Sequence, residues 1–131
     1  MTNDNSLLLK ANKNYISDLT FYMAFYTRNH RTIFDKEENQ KLFLDNLSAY
    51  EEKNDISILE KHFNDDLVVL KVLAPPVLSP TEIVFNFKRF SANALVKANK
   101  DLLQGEHAIW TRQYAISFDY KNVLKLIMSK E

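Results

Sequence analysis

The chain has 131 residues, 46% of them apolar and 12% aromatic, enough for one compact core and too rich for a disordered segment. Seventeen Lys and Arg balance seventeen Asp and Glu, so no basic excess advertises a polyanion, although a neutral chain can still carry a basic face. There is no cysteine and only one glycine, Gly105, which excludes a disulfide framework, a thiolate metal site, a Cys nucleophile and any glycine-rich phosphate cradle.

Residues 1–17 are polar apart from Leu7, Leu8 and Leu9. They read as an extension ahead of a single domain at 18–131, with room for one helical turn. No run approaches the ~20 apolar residues of a membrane span and no signal-peptide pattern opens the chain, so the expected location is the cytoplasm. Residues 19–27, LTFYMAFYT, suit a strand. Leu19, Phe21, Met23 and Phe25 share one face and Thr20, Tyr22, Ala24 and Tyr26 the other; both are largely apolar, which predicts a central strand.

A basic loop, RNHRTIF, follows at 28–34, then a helix from Asp35 to about Asn54 with Asp35 and Glu38 as a capping box and Phe43, Leu47 and Tyr50 inward. Residues 56–63 and 67–73 read as a hairpin of strands around the turn Asn64-Asp65-Asp66. Ser79, Pro80 and Glu82 start a helix that runs to about Asn99, with Ile83, Phe87, Phe90 and Ala94 inward. Its Phe-rich face reads as core with no site on it. A polar connector covers 100–108. Residues 109–118 predict a fourth strand with an interruption, and Asp119 caps a last helix, 120–129, with Val123, Leu126 and Ile127 inward. The order β-α-β-β-α-β-α predicts an α/β (α+β) ferredoxin-like sandwich: an antiparallel sheet with helices on one face plus a C-terminal helix.

Four segments, in order, resemble the IS200/IS605-like (REP-associated-like) tyrosine transposase family. FYMAFYTRNHRTIF, from Phe21 to Phe34, is similar to the family's first strand and basic loop, Y-H-hydrophobic-V-F-x-T-x-x-R-R-x-x-F. DLVVLKVLAPP, from Asp66 to Pro76, resembles D-H-V-H-L-L-V-x-x-P-P. SPTEIVFNFKRFSANAL, from Ser79 to Leu95, resembles the following helix, and IWTRQYAIS, from Ile109 to Ser117, resembles L-W-S-R-S-Y-F-V-A-S. The match covers about residues 19–131.

The resemblance implies an enzyme that cuts single-stranded DNA with a helix-borne Tyr, aided by a divalent cation on two strand-borne His and a third ligand four residues after the Tyr. This chain departs from that pattern at each position. The His pair falls on Leu67 and Val69, the Tyr on Leu126 and the third ligand on Lys130. Apolar replacements are what a wet site turned into core would leave. The family's Gly-Gly ahead of the tyrosine helix is replaced by Phe118 and Asp119. The expectation is therefore a catalytically degenerate member with no metal or other cofactor.

Other chemistry is weaker. His30, His62 and His107 form no H-x-H pair; His62 with Asp65 or Asp66 could hold a metal across the hairpin turn, but a solvated strand end is the ordinary reading. Tyr114 or Tyr120 as a displaced nucleophile lacks an accompanying metal site. The resemblance points instead to Arg28, His30, Arg31, Lys88, Arg89 and Arg112 as phosphate contacts, with Tyr22, Tyr26 and Trp110 as stacking platforms or core. The expected partners are single-stranded or hairpin DNA, or RNA, and a second copy in a homodimer, with no membrane. The competing expectation, favoured by zero net charge, is a protein-interaction or structural dimeric module that has lost nucleic-acid binding as well. A residual nuclease on unrecognised residues ranks last.

Overall fold

A computed structural model describes residues 9–103, 105 and 108–130. The main sheet has four antiparallel strands in the order β4-β5-β3-β6: β3 (Thr20–Tyr26), β4 (Ser57–Phe63), β5 (Leu67–Leu73) and β6 (Ala115–Ser117). Helices α1 (Glu37–Asp45), α2 (Ser48–Asn54), α3 (Pro80–Ala98) and α4 (Tyr120–Met128) complete the domain. The predicted ferredoxin-like sandwich is the observed architecture, with the expected central strand at β3.

Strand β3 is buried on both sides, and its period-two alternation sorts two cores. Phe21, Met23 and Phe25 join Phe34, Phe43, Phe87, Leu95 and Trp110 on the helix-covered face. Phe34, Phe43, Phe25 and Trp110 pack ring against ring, with centroids 4.8–6.3 Å apart and mostly edge-on or tilted. Ala24 and Tyr26 face the other way, where Leu67, Val69, Ala115, Val123 and Ile127 form a smaller core beneath α4. Cross-strand register lines up the rows: Ala24 opposes Val69 and Ala115, Tyr26 opposes Leu67, and Tyr22 opposes Lys71 and Ser117. Helix α4 thus lies on the face that α1 and α3 leave open.

Several local expectations are corrected. The first helix is two helices, broken at Asn46-Leu47 where the Asn46 side chain turns back to the Leu42 carbonyl at 2.8 Å. Asp35 does not cap it: Lys36 stands at the N-cap without a side-chain cap bond, because Asp35 ends a 3-10 turn. The entry is sewn instead by Asn39 and Gln40, whose amides donate to the Ile33 and Phe34 carbonyls at 2.8 Å each. At α3 the Ser79–Glu82 capping box forms as expected. Its inward stripe is Ile83, Val84, Phe87, Ser91 and Leu95, so Phe90 and Ala94 are only partly buried and Phe85 points outward.

The fourth strand is interrupted as predicted, with an isolated bridge between Thr27 and Trp110 ahead of β6. The helical turn expected in the first 17 residues has no counterpart in the described part, where β1 (Lys10–Ala11) pairs with β2 (Ile16–Ser17); Leu7 and Leu8 lie outside the described residues, as does His107. Lys10 Nζ bonds Asp55 Oδ1 and Ser57 Oγ at 3.1 and 2.9 Å, tying this hairpin to the start of β4.

Leu126, expected inward, is 40% exposed, whereas Val123 and Ile127 are fully buried. The inward stripe of α4 advances by four residues, and 126 falls beside it. Ile127→Ala should therefore destabilise the fold by about 2–4 kcal/mol by opening a cavity in the second core, and Leu126→Ala by less than about 1 kcal/mol, measured by denaturant unfolding.

Candidate nucleic-acid interface

The positions that the resemblance assigns to metal and nucleophile part company here. Leu67 and Val69 are 9% and 2% exposed and pack in the dry core under α4. Leu126 and Lys130 lie exposed on the outer side and just past the end of α4, so the two strand positions lie in the core and the two helix positions do not. The helix is fixed at both ends. Asp119 accepts from Asn122 N at 2.9 Å, and the Tyr26 hydroxyl donates to the Lys130 carbonyl at 3.2 Å.

Near the start of α4, the strands supply a polar cluster. The Tyr22 hydroxyl donates to the Glu60 carboxylate at 3.1–3.2 Å, His62 Nε2 lies 3.1 Å from Glu60 Oε1, and Lys71 Nζ is 3.6 Å from Glu60 Oε2. The Tyr120 ring stands against His62 and Tyr22, at 4.7 and 5.7 Å between centroids. The His62 contact, with the Tyr22 and Lys71 contacts behind it, holds the Glu60 carboxyl below its ordinary range, and burial first, then Glu60, pushes the Tyr22 phenol up. Glu60 is thus engaged by its neighbours and clamps edge strand β4 to the sheet. His62 meets neither Asp65 nor Asp66 in a metal site; Asp66 Oδ2 lies 2.6 Å from His30 Nδ1 instead. Among the described residues, no group of three or more His, Cys, Asp or Glu is placed to share a metal ion.

The six basic candidates divide. Arg31 is 6% exposed: its guanidinium donates to the Leu102, Leu103 and Ala108 carbonyls and its Nε to the Arg28 carbonyl. The carbonyls at the end of the 3-10 turn Lys100–Leu103 lack helical partners and attract a cation, so Arg31 belongs to the frame rather than to an outer surface. Lys88 also turns inward. Its Nζ donates to the Thr111 and Gln113 carbonyls at 3.0 Å each and lies 5.7 and 5.5 Å from the Phe25 and Tyr114 ring centroids. These carbonyls belong to the stretch where strand pairing lapses ahead of β6, and Lys88 supplies the missing donors. Tyr26 and Trp110 are core, 6% and 5% exposed, and Trp110 Nε1 donates to Ser91 Oγ at 3.1 Å. Tyr22 is taken up with Glu60.

Arg89 and Arg112 are exposed, Arg28 is half-buried, and His30 is exposed but stacked on Tyr26 and held beside the Asp66 carboxylate. Arg28 and Arg112 line one depression of about 470 Å³ with Asn29, Thr111 and Gln113. Asn29 and His30 take positive φ, 59° and 52°, which folds the loop back so that Arg28 meets the 109–113 segment. The Arg28 amide donates to the Ile109 carbonyl at 2.8 Å, and Arg28 Nε is buried without a hydrogen-bond partner among the described residues. Asn29, Gln113 and the outward Phe85 were missed in the sequence. Phe85 was legible there, because a residue two past Ile83 falls on the far side of a helix from the inward stripe.

Over residues 15–128 the sequence matches the family described as Transposase IS200 like. The chain belongs to the IS200-like transposase family. Among solved structures, a protein from Deinococcus radiodurans R1 described as a transposase superposes with a TM-score of 0.77 at 19% identity, covering 92% of this chain and 94% of the other. A REP-associated tyrosine transposase bound to a REP hairpin superposes with a TM-score of 0.58 at 12% identity, covering 90% and 67%. At these identities the likeness establishes the shared fold. No curated protein matches the sequence significantly. No helix among the described residues is long and apolar enough to cross a membrane.

Burial pushes the Lys88 ammonium down from 10.5 to about 8. Between those values the unfolded chain holds a proton that the folded chain has released, so this group adds stability as pH rises across the window. Wild type should therefore gain stability relative to Lys88→Met between pH 8 and 10.5, read from paired urea titrations. A difference constant over that range would contradict the buried placement.

Proposed function

We propose that this transposase-family protein binds single-stranded or hairpin DNA, or RNA of like shape, through Arg28 and Arg112, and does not cut it. The observation that carries the binding half is that these two arginines line one depression, with no carboxylate among its described lining residues. A guanidinium presents its N–H donors as a fork that matches phosphate oxygens. The family membership and the hairpin held by one structural relative support the same partner. His30, beside Asp66, and Arg89, on α3, are secondary contacts; Arg31 and Lys88 act by holding the frame.

The non-cutting half rests on Leu67 and Val69. Neither side chain can ligate a cation, and both pack with Val123 and Ile127 in one apolar cluster.

A second reading, a dimeric protein-interaction module without nucleic-acid binding, is favoured by a different surface. Phe118, Met128 and Leu126, at 80%, 64% and 40% exposure, stand out around α4, and β4 is an edge strand where a second copy could add its own. A homodimer is compatible with either reading.

The test is a binding titration against a hairpin oligonucleotide at several salt concentrations. Each lost phosphate contact should lower the slope of log affinity against log salt by about 0.7–0.9, so Arg28→Ala/Arg112→Ala should bind more weakly with a slope shallower by about 1.5. No binding by wild type at low salt would remove the nucleic-acid reading in favour of the protein-interaction one.

A further inference from the structure

Helix α3 and the segment 108–114 wall a second groove of about 480 Å³, contiguous with the first depression through Arg112, which lines both. Val84, Ile109 and Trp110, none more than 5% exposed, form its apolar floor. Phe85 lines it with a ring that is 65% exposed and belongs to neither core. Arg89 and Arg112 are its exposed cations. Arg89 in turn lines a third depression of about 350 Å³ between α2 and α3, beside Lys53 and Asn86.

In a chain with as many carboxylates as cations, none of the described residues lining these three depressions is acidic. Four cations, Arg28, Arg112, Arg89 and Lys53, thus line neighbouring depressions, with an apolar slot and an exposed aromatic ring in the middle one. The slot is preformed. Lys88 bonds the Thr111 and Gln113 carbonyls across it, and Thr81 Oγ1 lies 2.8 Å from the Tyr114 hydroxyl. A ligand that enters has little ordering to do.

We propose that this groove is a subsite for one unpaired nucleobase, stacked on Phe85, with the phosphates on either side of it held by Arg89 and Arg112. The inference rests on the nucleic-acid reading above and adds to it the place where an unpaired base lies. The two features divide the work. Cations along these depressions follow the backbone and cannot distinguish a base from its absence; an exposed ring over an apolar floor binds the flat face of any base and ignores the phosphate. The site therefore selects unpaired over duplex segments without selecting sequence, because a paired base has no free face to offer.

The experiment compares a twelve-nucleotide oligo-dT with an abasic twelve-mer of equal charge, against wild type, Phe85→Ala, Phe85→Tyr and Arg28→Ala/Arg112→Ala. Phe85 is outside both cores, so its variants are expected to melt with wild type. Phe85→Ala should weaken oligo-dT binding about tenfold, with an unchanged salt slope and unchanged binding of the abasic strand, and Phe85→Tyr should restore it. The double arginine variant should weaken both strands and lower the slope. Oligo-dT binding that Phe85→Ala leaves intact, or an equal loss for dT and abasic strands, overturns the stacking subsite while leaving the arginine contacts standing. Failure of wild type to bind either strand at low salt overturns this inference, and the reading beneath it falls as well only if the hairpin oligonucleotide is not bound either; displacement of oligo-dT by an equally charged acidic peptide at the same concentration overturns both.

Discussion

Helix α4 lies on the sheet because Ala24, Leu67, Val69 and Ala115 offer it a dry, shallow surface into which Val123 and Ile127 fit. The whole second face depends on that contact. It makes β3 a strand buried on both sides, it places the Tyr26 hydroxyl where it meets the Lys130 carbonyl, and it brings Tyr120 against the Glu60 cluster. Burying two aliphatic side chains of this size supplies about 1.5–3 kcal/mol each, a large share of what holds a nine-residue helix that would not persist alone. Leu67 and Val69, the positions where the resemblance puts two imidazoles, are part of that apolar contact.

The other face shows how charge is apportioned in a neutral protein. Arg31 and Lys88 turn inward to satisfy carbonyls that irregular backbone leaves open, at the end of the 3-10 turn and at the lapse in the fourth strand. Their bonds to the Ala108, Thr111 and Gln113 carbonyls tie down the stretch that carries Arg112. Exposed Arg89 and Arg112 and half-buried Arg28 then line depressions whose described residues include no carboxylate. A net charge of zero is compatible with such an arrangement because the acids are kept elsewhere, in the first turns of α1 and α3 and around Glu60.

The fold was legible because its signals are local. Both hairpin strands, the Ser79–Glu82 capping box and the Asp119 cap lie where residue pattern and turn chemistry put them. The errors lie where two local signals compete. Asp35 and Glu38 look like a capping box, yet the preceding 3-10 turn uses Asp35 before it can cap. Leu126 is as apolar as Val123 and Ile127 and differs only in angle around the helix. The site was half legible. The sequence shows that Arg28 and Arg31 share a loop, but not that positive φ at Asn29 and His30 sends one outward while the other goes inward. That sorting is a tertiary property, set by which carbonyls lie within reach.

The measurement that reaches the central claim most directly is a cleavage assay under denaturing conditions. Labelled hairpin DNA is incubated with the protein and Mg²⁺ or Mn²⁺, then resolved on a denaturing gel beside a native gel of the same mixture. The account predicts retarded DNA on the native gel and, on the denaturing gel, intact DNA with neither a nick nor a covalent protein–DNA band. A metal-dependent nick or covalent adduct, lost in Tyr120→Phe or His62→Ala, would contradict it by showing that the polar cluster around Glu60 performs the chemistry that Leu67, Val69 and Leu126 cannot.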